Sequence, residues 1–165
     1  MVLEAGQFVL PLSVTSPIDI GRLLRELQIL DNDLMQYELK GTIAESKMPK
    51  TTKLLDDFIS ANKLNLLDSK QRKAFIAFLT ELRSHAPVLH ISFGADPAPA
   101  FIERLVTWLR QEINPLILVT IGLQPNIGAG CLVRSTNKYF DFSLRENFTK
   151  NRELLMTKLR EVVTA

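Results

Sequence analysis

The stretch Leu123-Gln-Pro-Asn-Ile-Gly-Ala-Gly-Cys-Leu-Val-Arg-Ser-Thr-Asn-Lys-Tyr-Phe-Asp-Phe-Ser-Leu-Arg145 decides how this chain is read. Gly128 and Gly130 punctuate a loop. Cys131-Leu-Val-Arg-Ser135 and Lys138-Tyr-Phe-Asp-Phe142 are short β-type runs, and Thr136-Asn137 supplies the turn between them. Ser143 stands three residues before Glu146, the spacing of a capping box, so a helix opens there. The expected order is loop, strand, tight turn, strand, helix. The segment holds neither a nucleophile with its base nor a metal cage. It is built to keep a shape, which points to a scaffold or binding protein.

Upstream, the apolar period is 2 from Pro87: Leu89, Ile91 and Phe93 alternate with His90 and Ser92. Asp96-Pro97 reads as a capped helix start, with Ala98, Phe101, Ile102, Leu105, Leu109 and Ile113 as the buried face. Pro115 ends that helix, and Leu116-Ile-Leu-Val-Thr-Ile121 is an almost continuous apolar strand. After the hairpin comes one amphipathic helix with Leu144, Phe148, Leu155, Leu159 and Val162 on its apolar side. The expected core of this half is Leu89, Ile91, Phe93, Phe101, Leu105, Leu118 and Leu155.

Before Pro87 the period is 3.6. Gln7 to Val14 reads as extended, and Pro11 demotes it to an edge strand or an arm. Ser16-Pro17 starts a long one-sided helix, with Ser16 as N-cap and Asp19 in the first turn, ending near Gly41. Thr42 to Lys50 is a loop. A shorter helix carries Leu54, Leu55, Phe58 and Ile59, and Asn62 and Asn65 mark its exit. Asp68, with Gln71 three residues on, caps a third helix burying Phe75, Phe78, Leu79 and Leu82. The fold class is therefore α+β: a mostly helical region over residues 1–86, then a small β-α-β-β-β-α α/β domain over residues 87–165.

At 165 residues, 46% hydrophobic and 23% charged, the chain has an ordinary globular composition and enough length for a real core. A net charge of +2, with scattered Lys and Arg, gives no phosphate-tracking stripe. The single Cys131 excludes an internal disulfide and a thiolate zinc cage, and reads as a buried small hydrophobe. No apolar run approaches the about 20 residues that span a bilayer, and the start, with Glu4 and no basic cluster, is not a signal peptide.

Gly128-Ala-Gly130 has no third glycine at the dinucleotide spacing, no Gly-Lys-Ser/Thr, and leads into a strand where phosphate loops open a helix. Its glycines are read as structural. His85 and His90, five residues apart across a Pro-marked boundary, do not make a helical metal pair. Asp141 and Ser143 satisfy helix-start N–H groups rather than form a catalytic pair. Arg145 fixes that turn or faces a partner. Trp108 is read as core in preference to an interface anchor. No catalytic residue, cofactor site or metal site is expected.

The string from Ile127 through Arg134 to Phe140-Asp-Phe-Ser-Leu-Arg145 resembles the C-terminal signature of the ATP synthase delta subunit family, which includes the oligomycin-sensitivity-conferring proteins. The matching pieces are the glycine loop, the strand ending in Arg134, the turn, and Asp141-Phe-Ser143-Leu-Arg145 opening a helix. The resemblance covers residues 86 to 165. The N-terminal half departs from the family's six-helix bundle, with three countable helices. The resemblance implies a non-enzymatic peripheral-stalk subunit of a proton-translocating ATP synthase. Its partners would be the alpha and b subunits, without nucleic acid. Its place would be the cytoplasmic face of the cell membrane, peripheral through those partners. The alternative is a small α+β RNA-binding module, although neither hairpin strand carries the basic-aromatic-glycine signature of such domains. A thiol enzyme using Cys131 lacks a base.

Overall fold

The computed structural model describes residues 8–39 and 50–163. The side chains of residues 38, 39, 146, 147 and 161–163 lie outside that description, as does the expected loop at Thr42 to Lys50 apart from Lys50 itself. The protein is α+β, with a helical N-terminal region followed by a part built on a four-stranded mixed sheet. Its elements are α1 Pro17–Leu39, α2 Lys53–Asn62, α3 Ser69–His85, β1 Val88–Phe93, α4 Pro99–Glu112, β2 Leu118–Leu123, β3 Cys131–Arg134, β4 Tyr139–Asp141, α5 Leu144–Lys150 and α6 Arg152–Val163.

Contacts gather the chain into two compact units. Residues up to Pro87 join Glu103–Leu118 in the first, and Val88–Ile102 join the residues from Val119 on in the second. The sequence reading divides the chain once, between residues 86 and 87. The contacts add two further crossings, at 102/103 and at 118/119, because most of α4 and the run into β2 belong with the helices.

The first unit is helix on helix. Ser16 and Asp19 form a reciprocal cap at the start of α1. The Asp19 carboxylate accepts from the Ser16 N–H at 2.9 Å, and the Ser16 hydroxyl accepts from the Asp19 N–H at 3.3 Å. Ile20, Leu23, Leu27, Leu55, Phe58, Phe75, Leu79 and Leu82 are fully buried. Phe58 stacks on Phe75 with ring centroids 4.5 Å apart. Each such side chain contributes about 1.5–3 kcal/mol by leaving water. At the exit of α2, Lys63 takes the left-handed conformation (φ 51°), and the N–H groups of Lys63 and Leu64 close back on Ser60 and Ile59. Asp68 caps α3 by accepting from Lys70 N–H at 2.9 Å. Gln71 does not close the expected box. Its side chain accepts from Asn65 N–H instead, also at 2.9 Å.

The extended segment expected over Gln7 to Val14 is not a strand in its described part. Side chains satisfy its backbone in place of a ladder. The Arg110 guanidinium donates to the carbonyls of Leu10, Pro11 and Val14, the first two at 3.2 and 3.0 Å. Asn62 accepts from Val9 N–H at 2.6 Å and donates to Val9 C=O at 2.9 Å. Burial lowers the Arg110 pKa.

In the second unit the strand order is β2-β1-β3-β4. β1 and β3 are antiparallel, as are β3 and β4, with Ile91 opposite Val133 and Val133 opposite Phe140. Four expectations move. α4 begins at Pro99 rather than at Asp96-Pro97, because Pro99 takes the first helical position and the Ala98 carbonyl accepts the first helical N–H bonds. β2 begins at Leu118, because Asn114 holds Leu116 and Ile117 in a turn. The last helix is two helices, broken at Asn151, whose carbonyl accepts from Leu155 N–H at 2.9 Å. Finally, of the expected core, Ile91 and Leu118 are buried and Leu89, Phe93 and Leu105 half-buried, but Phe101 and Leu155 are exposed. Phe101 still meets Phe93 edge-on, with centroids 5.8 Å apart. Trp108, read as core, is 53% exposed, and Ile113 is exposed too.

Candidate docking site

The glycine loop and the helix entry form one knot. Gly128 sits at φ 72°, ψ −70°, and Ala129 N–H reaches Ile127 C=O at 2.9 Å, a γ-turn of the positive-φ kind. Gly130, at φ 95°, lies against backbone: a Cβ there would collide with the Phe142 carbonyl oxygen and stand 2.9 Å from Ser143 Cα. Two hydrogen bonds tie the faces together, Phe142 N–H to Cys131 C=O and Leu144 N–H to Ala129 C=O, both 2.9 Å. The glycines are thus structural, as their spacing predicts.

Asp141 and Ser143 hold the turn into α5. Asp141 Oδ1 accepts from Ser143 N–H at 2.8 Å. The Ser143 hydroxyl, then its N–H, hold the Asp141 carboxyl below its ordinary range, with smaller help from Lys150 and Arg145. Ser143 is buried, and its hydroxyl serves Asp141. The side chain of Glu146, the other half of the expected capping box, lies outside the described residues.

Beside this knot runs an open apolar groove of ≈ 780 Å³, floored by Ile127, Leu144, Phe148, Leu155 and Met156, with Arg145 and Arg152 at its rim. Phe148 is 57% exposed and Met156 46%. Leu154 and Leu159 on α6, and Phe140 and Phe142 beside the turn, are exposed as well. Contiguous uncovered apolar surface of this kind marks an interaction site.

The six residues singled out from sequence therefore separate. Gly128, Gly130, Asp141 and Ser143 form the knot and Arg145 lies at the groove rim, but Arg134 lies apart on the sheet, lining a polar cleft with His90 and Tyr139. Sequence reasoning missed Gly94, where a Cβ would stand 2.9 Å from the Gly128 carbonyl oxygen. The glycine directly after a β1-type run was its only signal. Cys131 is half-buried, and burial raises its thiol pKa, which makes it a poor nucleophile. Among the described residues no group of His, Cys, Asp and Glu is placed to hold a metal ion, and no helix is long and apolar enough to cross a membrane. Comparison with protein-family models and with curated proteins finds no match for the chain.

Proposed function

We propose that this chain is a non-catalytic peripheral-stalk subunit of a rotary F-type ATP synthase, linking the catalytic head to the membrane-anchored b subunits. The observation that carries the reading is the uncovered apolar groove beside the glycine-loop knot, on the stretch that carries the family resemblance. An amphipathic partner helix would bury Phe148, Leu155 and Met156, and carboxylates flanking its apolar face would meet Arg145 and Arg152. A stator must resist torque. A knot of close backbone contacts at the groove suits that task better than a loop-borne site does. The chain would sit at the cytoplasmic face of the membrane through its partners and take part in ATP synthesis without turnover of its own.

The test is reconstitution. The full chain, mixed with purified alpha and b subunits, is expected to elute with both on size exclusion. Binding to neither, together with salt-dependent retention of an RNA oligomer, would replace the stalk reading with an RNA-binding one.

A further inference from the structure

A second surface of the same unit is polar, and the stalk reading does not use it. Register places His90 of β1 opposite Arg134 of β3, and Arg134 opposite Tyr139 of β4. Directly paired residues point to one face, so three adjacent strands, about 4.8 Å apart, carry an imidazole, a guanidinium and a phenol in a row. The cleft above them is ≈ 730 Å³ and also takes in Ser92, Thr136 and Gln124.

The lining contains no carboxylate. Among the described residues no hydrogen bond or ion pair holds the Arg134 or His90 side chain. The carboxylate on the neighbouring strand, Asp141, is committed to Ser143. The cleft thus offers a guanidinium fork, an imidazole, hydroxyls and an amide to a ligand rich in acceptors. A tetrahedral oxyanion with three terminal oxygens uses more of these donors than a two-oxygen carboxylate can. Tyr139, 60% exposed, adds one flat ring at the edge. One ring and one Arg–His pair fit a single small molecule; a nucleic-acid strand would need a repeated series of both. The volume is that of small-molecule sites, which run to about 300–1,000 Å³.

We propose that this cleft binds a phosphate-bearing small molecule, with Arg134 and His90 on the phosphate and Tyr139 beside any ring attached to it. The proposal is independent of the stalk reading, because it uses none of the groove residues. The full-length ¹⁵N-labelled protein is titrated separately with inorganic pyrophosphate, ADP and adenosine, and amide shifts are followed. Saturable shifts at His90, Arg134, Thr136 and Tyr139 are expected with pyrophosphate and ADP, and none with adenosine. Arg134→Gln should weaken binding about ten-fold or more, with the melting temperature unchanged, since this exposed side chain has no structural partner among the described residues. Tighter binding of ADP than of pyrophosphate, lost in Tyr139→Leu, identifies a nucleotide as the source of the phosphate. Equal binding identifies the free anion. No saturation by either phosphate compound, shifts confined to other residues, or an Arg134→Gln protein that binds like wild type would each overturn the proposal.

Discussion

At the scale of single residues, the two loop glycines are set apart by what surrounds them. Gly130→Ala adds a Cβ against the Phe142 carbonyl and strains a positive φ, whereas Gly128→Ala meets only the strain. Both should destabilise the protein, Gly128→Ala by about 1–3 kcal/mol and Gly130→Ala by more, as chemical denaturation would show. Asp141 gives a pH prediction. Its folded pKa is lowered below the ordinary 3.8, chiefly by the Ser143 hydroxyl. Its contribution to stability is therefore present above that ordinary value and lost as pH falls through the lowered one. A carboxyl-carbon NMR titration should find its midpoint below 3.8, and Ser143→Ala should raise it. These positions were legible because turn chemistry is local. Arg72 was not. It is fully buried on α3, its Nε 2.6 Å from Asp31 Oδ1 and its Nη1 on the carbonyls of Leu66 and Leu67. The acid that pairs with it stands 41 residues away, beyond the reach of any local pattern. Arg72→Ala should cost about 3–5 kcal/mol, since it leaves buried polar partners unmatched.

At the scale of elements, hydrophobic period found the helices of the first unit and β1, because one face of each is buried. The short strands β3 and β4, half-buried to exposed, were found from their β-type residues and the turn between them. It could not say what covers a face. α6 has an apolar stripe of the expected spacing, yet Leu154, Leu155, Met156 and Leu159 all face water. Amphipathicity states that something should cover a stripe, and here nothing within the described chain does. Helix ends were read where Pro or an N-cap residue fixes them, as at Ser16 and Asp68. The exit of α2 was read at Asn62, where the helix ends, but its left-handed cap was not, because a lysine occupies the position that usually falls to glycine. Lys63→Gly should therefore stabilise the protein, by about 0.5–1 kcal/mol after the added freedom of the unfolded chain is offset, a small rise in melting temperature.

At the scale of the whole molecule, the two units differ in how fully they close. The first buries a continuous set of leucine, isoleucine and phenylalanine side chains between its helices. The second buries Ile91, Val119 and Ile127 but leaves Phe140, Phe142, Leu144, Phe148, Leu155 and Met156 exposed. A surface so apolar costs solubility unless a partner takes it, and that asymmetry is the structural basis of the stalk proposal. The measurement that tests it most directly is calorimetric titration of the full chain with the soluble helical segment of the b subunit. Wild-type protein should bind saturably with a negative heat-capacity change, the mark of apolar burial. The Phe148→Asp/Leu155→Asp variant, exposed at both sites and so still folded by circular dichroism, should lose that binding. No heat of binding from the wild type, or equal binding by the folded variant, would contradict the account.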